Sequence, residues 1–228
     1  MLKIEKTEVF GWESAIRGMR NPLNSWDKSD TTFESMCAVF ERGCGWECTI
    51  GPNDLSLMKK LVKAGSDHSK FMRMINVTCD ITAPLYWWKE FDTYKVGTVA
   101  NSCSTMHKIH AKEFTLEDFS CEHLIADRPV PCKTFSPLQA LTVQIDILNK
   151  YREMFLEAGG GKGEISAKEY WWQLIQLLPS SYNQKRTVQL NYAVLRNMYH
   201  SRKNHKLDEW HTLCEWIEQL PYSELITS

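Results

Sequence analysis

The stretch "MINVTCDI", residues 74–81, constrains this chain more than any other. Ile75, Val77, Cys79 and Ile81 recur at every second position, which predicts a half-buried strand. The period then changes. "TAPLYWWKEFDTYK" reads as a helix, with Thr82 near a cap position and Pro84 in the first turn, where helices accept proline. The helix is followed by "GTVANSCS", Gly97 to Ser104, a run of small polar residues that cannot bury much apolar surface.

The remaining segments fit the same mixed composition. "TEVFGW" predicts a short strand, and "ESAIRGMRNPLNSWDKSD" starts helix-like and breaks at Asn21-Pro22. "SMCAVFERG" and "GWECTI" read as strands around a glycine turn, the first with a helical alternative. "PNDLSLMKKLVKAGS" predicts a helix with Asp54 as cap, Leu55, Met58, Leu61 and Val62 as the apolar stripe, and Gly65 as stop. Residues 114–135 look irregular. Ser136 and Pro137 open a long helix that ends at the glycines 159–161. Ser166 and Glu169 form a capping box for "AKEYWWQLIQLL". "KRTVQLNYAVLRNMYHSR" and "LDEWHTLCEWIEQL" predict two closing helices. No repeat or linker interrupts the 228 residues, so one domain over 1–228 is expected.

A formal net charge of −1 gives no general attraction to nucleic acid or membrane surfaces. No apolar run approaches the ~20 residues of a membrane span, and "MLKIEKTEVFGWE" is too charged for a signal peptide. The eight cysteines are scattered, which fits reduced thiols in a cytoplasm.

The obvious short motifs carry little. "GGGKGE" lacks the Ser or Thr after the lysine and the strand before the glycines that a phosphate loop needs, so it predicts a turn. Cys44 and Cys48 in "CGWEC" have no second ligand pair to complete a zinc site. Cys103 with His107 has the spacing of a thiol and a base, and chance explains it better. Of the adjacent pairs Trp87-Trp88 and Trp171-Trp172, one residue each is expected to point away from a single core face, toward another element, subunit or ligand. Asn191, Asn197 and Arg202 do not share one helical stripe, so a solvated face explains some of them, while amides in a stretch otherwise rich in apolar residues point equally to hydrogen bonds with a polar ligand or across an interface.

"LPSSYNQKRTVQLNYAVLRNMYHSRKNHKLDEW" resembles the flavin-dependent thymidylate synthase (ThyX) family, as does the order of elements from residue 8 to 222. Pro179, Asn191, Asn197 and Arg202 keep the family's spacing, while its arginine two positions after the first Asn is Ala193 here. "DITAPLYWW" is similar to the step into the family's signature helix. That helix ends in Arg-His-Arg; the corresponding positions are Thr93, Tyr94 and Lys95. With one inserted residue, the loop that follows keeps Asn101 and Ser104. Ser102 stands at the acidic position, Met106 at the loop arginine, and Glu90 at the Gln that reads the pyrimidine edge. "SAIRGMRNP" is similar to the helix that lines the flavin phosphates, with Arg17 and Arg20 at its arginines. Asp67 or His68 falls at a flavin-contacting His.

The resemblance implies an α+β fold, a central and mostly antiparallel sheet packed with helices, as in thymidylate synthase-complementing proteins. It implies FAD as cofactor, folate as one-carbon donor, a pyrimidine nucleotide such as dUMP as substrate, and a homo-oligomer, tetramer or dimer. By resemblance, Glu90, Asn101, Ser104 and Arg202 meet the nucleotide. Arg17, Arg20, His68, Tyr94, Lys95, Asn191 and Asn197 meet the flavin, and no residue is assigned as a covalent catalyst. "GTVANSCS" becomes a ligand-facing loop with free backbone amides. The lost arginines remove charge-assisted contacts of about 1.5–3 kcal/mol each. Glu90, acceptor-only when ionised, prefers an amino edge. Three functions stay open: methyl or hydride transfer to pyrimidine C5, the same fold with a modified pyrimidine, and nucleotide binding or sequestration without catalysis.

Overall fold

The computed structural model describes residues 1–35, 46–159 and 165–228. Its strands are β1 (Lys3–Phe10), β2 (Thr32–Ser35), β3 (Trp46–Thr49), β4 (Asn76–Pro84), β5 (Val99–Ser102) and β6 (Asn183–Asn191). Its helices are α1 (Trp12–Arg20), α2 (Pro52–Lys63), α3 (Leu85–Phe91), α4 (Pro137–Glu157), α5 (Ile165–Leu177), α6 (Tyr192–Arg202), α7 (Asp208–Glu218) and α8 (Glu224–Thr227). The class is α+β. An antiparallel sheet in the order β1-β4-β6-β5 packs with helices, and β2 pairs antiparallel with β3, Phe33 opposite Cys48.

The chain divides into two compact units, each assembled from three segments. Unit 1 contains Met1–Glu5, Asp80–Thr93 and Ala100–Thr187; unit 2 contains Lys6–Cys79, Tyr94–Val99 and Val188–Ser228.

In unit 1, α4 packs on α5 over a core that includes Phe119, Leu141, Ile145, Leu148 and Leu174. Ser136 caps α4 through the amide of Gln139, and Gln139 bonds back to the amide of Ser136, as the sequence predicts. The irregular stretch before it is pinned by Asn149, which accepts from the amide of Phe114 (2.8 Å) and donates to its carbonyl (2.9 Å).

In unit 2, the rings of Trp12, Tyr192 and Tyr222 meet edge-on, each pair 5.3 Å apart with Trp12 in the middle. Buried Ile16, Met19, Met58, Phe71 and Met72 extend this core.

Several expected boundaries move. Residues 185–191 are strand, not helix: Val188 and Leu190 are buried and Thr187 and Gln189 exposed, a period of two that the following helical pattern masks. Thr82 lies in β4, and Pro84 is the cap of α3 rather than part of its first turn. The amides of Leu85 and Tyr86 donate to the carbonyls of Tyr182 and Ser180, so the helix needs no capping side chain. Asp54 is the third residue of α2, not its cap. That task falls to Asp30, whose carboxylate accepts from the amides of Asn53 (2.9 Å) and Asp54 (3.1 Å). A Cβ on Gly51 would lie 2.2 Å from the Asp30 carboxyl carbon, so only glycine lets that cap approach. The turn read into "GGGKGE", the Ser166 cap side chain and Cys44 lie outside the described parts of the structure.

Candidate functional site

The two adjacent tryptophans of α3 are both buried, Trp87 at 0% and Trp88 at 1% exposure, so the one that leaves a single core face meets another element of the chain, one of the outcomes expected. Neighbours on a helix diverge by about 100°, so α3 is covered on more than one side. Trp88 is fixed by its indole N–H, which donates to the carbonyl of Gln184 (2.9 Å), and by edge-on contacts with Trp87 and Phe91. The second pair behaves as expected: Trp171 is half-buried and donates to the carbonyl of Met106 (2.9 Å), and Trp172 is 41% exposed.

On the fixed ring of Trp88 lies the guanidinium of Arg186, its carbon 4.1 Å from the ring centroid. Arg186 Nε donates to Gln184 Oε1 (3.0 Å) and Nη1 to Asp92 Oδ1 (2.7 Å). Gln184 in turn donates from Nε2 to the carbonyl of Cys103 (2.7 Å). Sheet geometry explains the grouping. Gln184 and Arg186 share one face of β6, while Lys185 and Thr187, on the other, both meet Asp80, at 3.0 and 2.6 Å. None of these strand residues was singled out from sequence. Reading 185–191 as helix hid the alternation that would have paired them.

The expected ligand loop is partly strand. Val99–Ser102 form β5, with Asn101 exposed on it. The amide of Cys103 donates to the carbonyl of Lys185 (2.9 Å), and those of Met106 and His107 donate to Ser104 Oγ (3.3 and 2.9 Å). These amides are therefore engaged within the chain and do not form an open anion nest. Ser104 is exposed and organises this turn. Glu90 is half-buried near the end of α3, where its carbonyl accepts from the Thr93 hydroxyl (2.7 Å).

In unit 2, Gly97 adopts a left-handed φ of +79°, and a Cβ there would sit 2.7 Å from Asn191 Nδ2. Both facts require glycine. Asn191 is 8% exposed and caps α6, accepting from the amide of Val194 (3.0 Å). At the other end of α6, Arg202 Nε donates to the hydroxyl of Tyr94 (2.9 Å), and its guanidinium carbon lies 4.7 Å from the ring of Trp210. The structure thus brings together Tyr94 and Arg202, which spacing alone did not, and adds Trp210. Arg17, His68, Lys95 and Asn197 are exposed.

Arg20, by contrast, is 4% exposed and bonded to Asp54 Oδ1 (2.6 Å) and to the carbonyls of Ser25 and Lys28 (2.9 and 3.0 Å), so its guanidinium is engaged within the chain. Burial pushes the Asp54 carboxyl up. Hydrogen bonds from Ser29, Thr31 and Arg20 outweigh that and hold it below the usual carboxylate range. Among the described residues, no group of three or more His, Cys, Asp or Glu is placed to hold a metal ion, and no helix is long and apolar enough to cross a membrane. Burial raises the Cys48 thiol to about 11, which makes it a poor metal ligand or nucleophile.

This α+β architecture, an antiparallel sheet packed against helices, is shared with solved structures. No protein-family model matches the chain, and no curated protein does either. Among solved structures it is similar to flavin-dependent thymidylate synthase ThyX from Helicobacter pylori complexed with FAD and dUMP. That match has a TM-score of 0.64 at 14% identity and covers 98% of this chain and 97% of the other. A second ThyX structure from the same organism, also with FAD and dUMP, gives 0.65 at 13% identity over 99% and 96%. A UMP/dUMP methylase, PolB from Streptomyces cacaoi, bound with 5-Br dUMP, gives 0.61 at 13% identity over 100% and 94%. At such identities the likeness establishes the fold.

Proposed function

We propose that this chain binds a pyrimidine nucleotide and FAD and transfers a one-carbon unit or hydride to pyrimidine C5. The observation that carries the reading is the fold likeness along nearly the whole chain to proteins solved with uridine nucleotides. In unit 1, Glu90 would read the pyrimidine edge, and Asn101 and Ser104 would contact the nucleotide. Arg202 in unit 2 is the remaining nucleotide candidate. Its Nε is held by the Tyr94 hydroxyl and its guanidinium lies against the Trp210 ring, and a guanidinium so positioned suits phosphate recognition.

The residues of unit 2 fit a flavin in charge. Arg17 and Lys95 are exposed cations for a diphosphate, and His68 and Asn197 are exposed hydrogen-bonding groups. Asn191, fixed as a cap beside Gly97, would orient rather than grip. When bound, a flavin supplies the hydride, and folate is the carbon source in this reading. The chain's own part is to orient and polarise the pyrimidine. A homo-oligomer, dimer or tetramer, in the cytoplasm belongs to the same proposal. Exposed Trp172 and Val143 give it apolar surface to cover.

A second reading, binding without catalysis, has one observation in its favour. Tyr94, at the position of the family's signature histidine, has its hydroxyl engaged by Arg202 of its own chain.

The absorption spectrum of the purified protein, with and without FAD and dUMP, separates the two. Flavin bands that shift on adding dUMP are expected. A protein that binds dUMP and stays colourless in excess FAD would support sequestration, and one that binds neither would end both readings. Sedimentation as a monomer would remove the oligomer.

A further inference from the structure

Arg186 is held as a ligand contact is held rather than as a buried brace. Its guanidinium lies on an immobile ring, 4.1 Å from the Trp88 centroid, and two of its three nitrogens are fixed by Gln184 and Asp92. Its orientation is therefore set before any ligand arrives. The third nitrogen, Nη2, has no acceptor among the described residues, and the side chain keeps 14% of its surface in solvent. Its carboxylate partner, Asp92, is 51% exposed, and such a pair contributes little to stability. An incoming anion could share or displace it.

The position matters as much as the geometry. Through Gln184, Arg186 is two hydrogen bonds from the carbonyl of Cys103. On either side of Cys103 lie exposed Asn101 and Ser104, and Glu90 lies two residues before Asp92 on the α3 segment. Arg186 therefore belongs to the same corner of unit 1 as three of the nucleotide candidates. At the positions where the resemblance predicts other cations, that corner has Thr93 and Met106.

We propose that Arg186 binds the phosphate of the pyrimidine nucleotide, with Asp92 as its exchangeable counter-ion. This rests on the nucleotide reading above. It adds a residue which that reading does not contain: a cation for the anionic group, in the corner where Glu90 would read the base.

The test is calorimetric titration of the full chain with dUMP, 2′-deoxyuridine and inorganic phosphate. Arg186→Ala should weaken dUMP by about tenfold or more and leave deoxyuridine within about twofold, because only the charge-assisted contact is lost. Arg186→Lys should fall between, since it keeps the charge and loses the planar fork. Asp92→Asn should tighten dUMP, and this variant carries the test if Arg186→Ala does not fold. Unchanged dUMP affinity in Arg186→Ala, equal losses for dUMP and deoxyuridine, or weaker dUMP binding in Asp92→Asn would each overturn the assignment while the nucleotide reading stands. Inorganic phosphate binding as tightly as dUMP would make this an unselective anion site and overturn the assignment. A wild-type chain that binds no nucleotide would overturn both proposals.

Discussion

Arg20 and Arg186 are both paired with an aspartate, and the two pairs could hardly differ more. Arg20 and Asp54 are 4% and 0% exposed, and every bond of both groups runs inward, to Ser25, Lys28, Ser29 and the 30–31 backbone. Arg186 and Asp92 are 14% and 51% exposed, and one face of the guanidinium rests on an indole. The same ion pair is a structural joint where its surroundings are closed and a candidate ligand contact where one side stays wet. Charge type alone, which is what sequence offers, does not distinguish them.

The largest test of that contrast is Arg20→Ala. Leaving Asp54 buried without its cation should cost about 3–5 kcal/mol in chemical denaturation. A loss below 1 kcal/mol would deny the corner its structural role. Gly97→Ala comes next. The left-handed backbone costs an alanine about 1–2 kcal/mol, and the added carbon displaces the Asn191 amide. Both stability and nucleotide affinity should fall, and a stable variant with native affinity would break the link between residues 94–99 and α6. Asp92→Asn should change stability by only about 0–1 kcal/mol, which sharpens the comparison if measured beside Arg20→Ala.

The pH dependence differs as well. The Asp54 carboxyl is held below its ordinary value, so its contribution is present above the unfolded carboxylate pKa. It is lost as pH falls through the folded one. The stability gap between wild type and Asp54→Asn should therefore narrow in acid, and a constant gap would show that the ionised carboxylate is not what holds this corner. The smallest effect is chemical. Burial raises the Cys48 and Cys214 thiols to about 11, while Cys103 and Cys132 are exposed. Alkylation followed by mass spectrometry should label Cys103 and Cys132 before Cys48 and Cys214.

Much of the frame was legible in the residues. The alternation of Ile75, Val77, Cys79 and Ile81, the Ser136-Pro137 start of α4 and the Gly65 stop are local rules, and the structure obeys them. The spacing of Asn191, Asn197 and Arg202 pointed to the fold that the solved structures share. The misses have one physical source. Where an element is short or changes type within a few residues, its local pattern is outvoted. "KRTVQLN" sits before a real helix and was absorbed into it. "GTVANSCS" looked like a loop because β5 is an edge strand whose exposed residues need no apolar alternation.

By itself, then, the sequence determined the class of elements, most of their ends and the residues able to carry charge to a ligand, because periodicity and caps act over a few residues. Only the tertiary structure decided which arginine is closed and which is open. That depends on partners far away in the chain: Asp54 lies thirty-four residues from Arg20, and Asp92 lies ninety-four from Arg186. No local pattern records whether water reaches the far side of such a pair, and burial, not residue type, sets what a guanidinium can do.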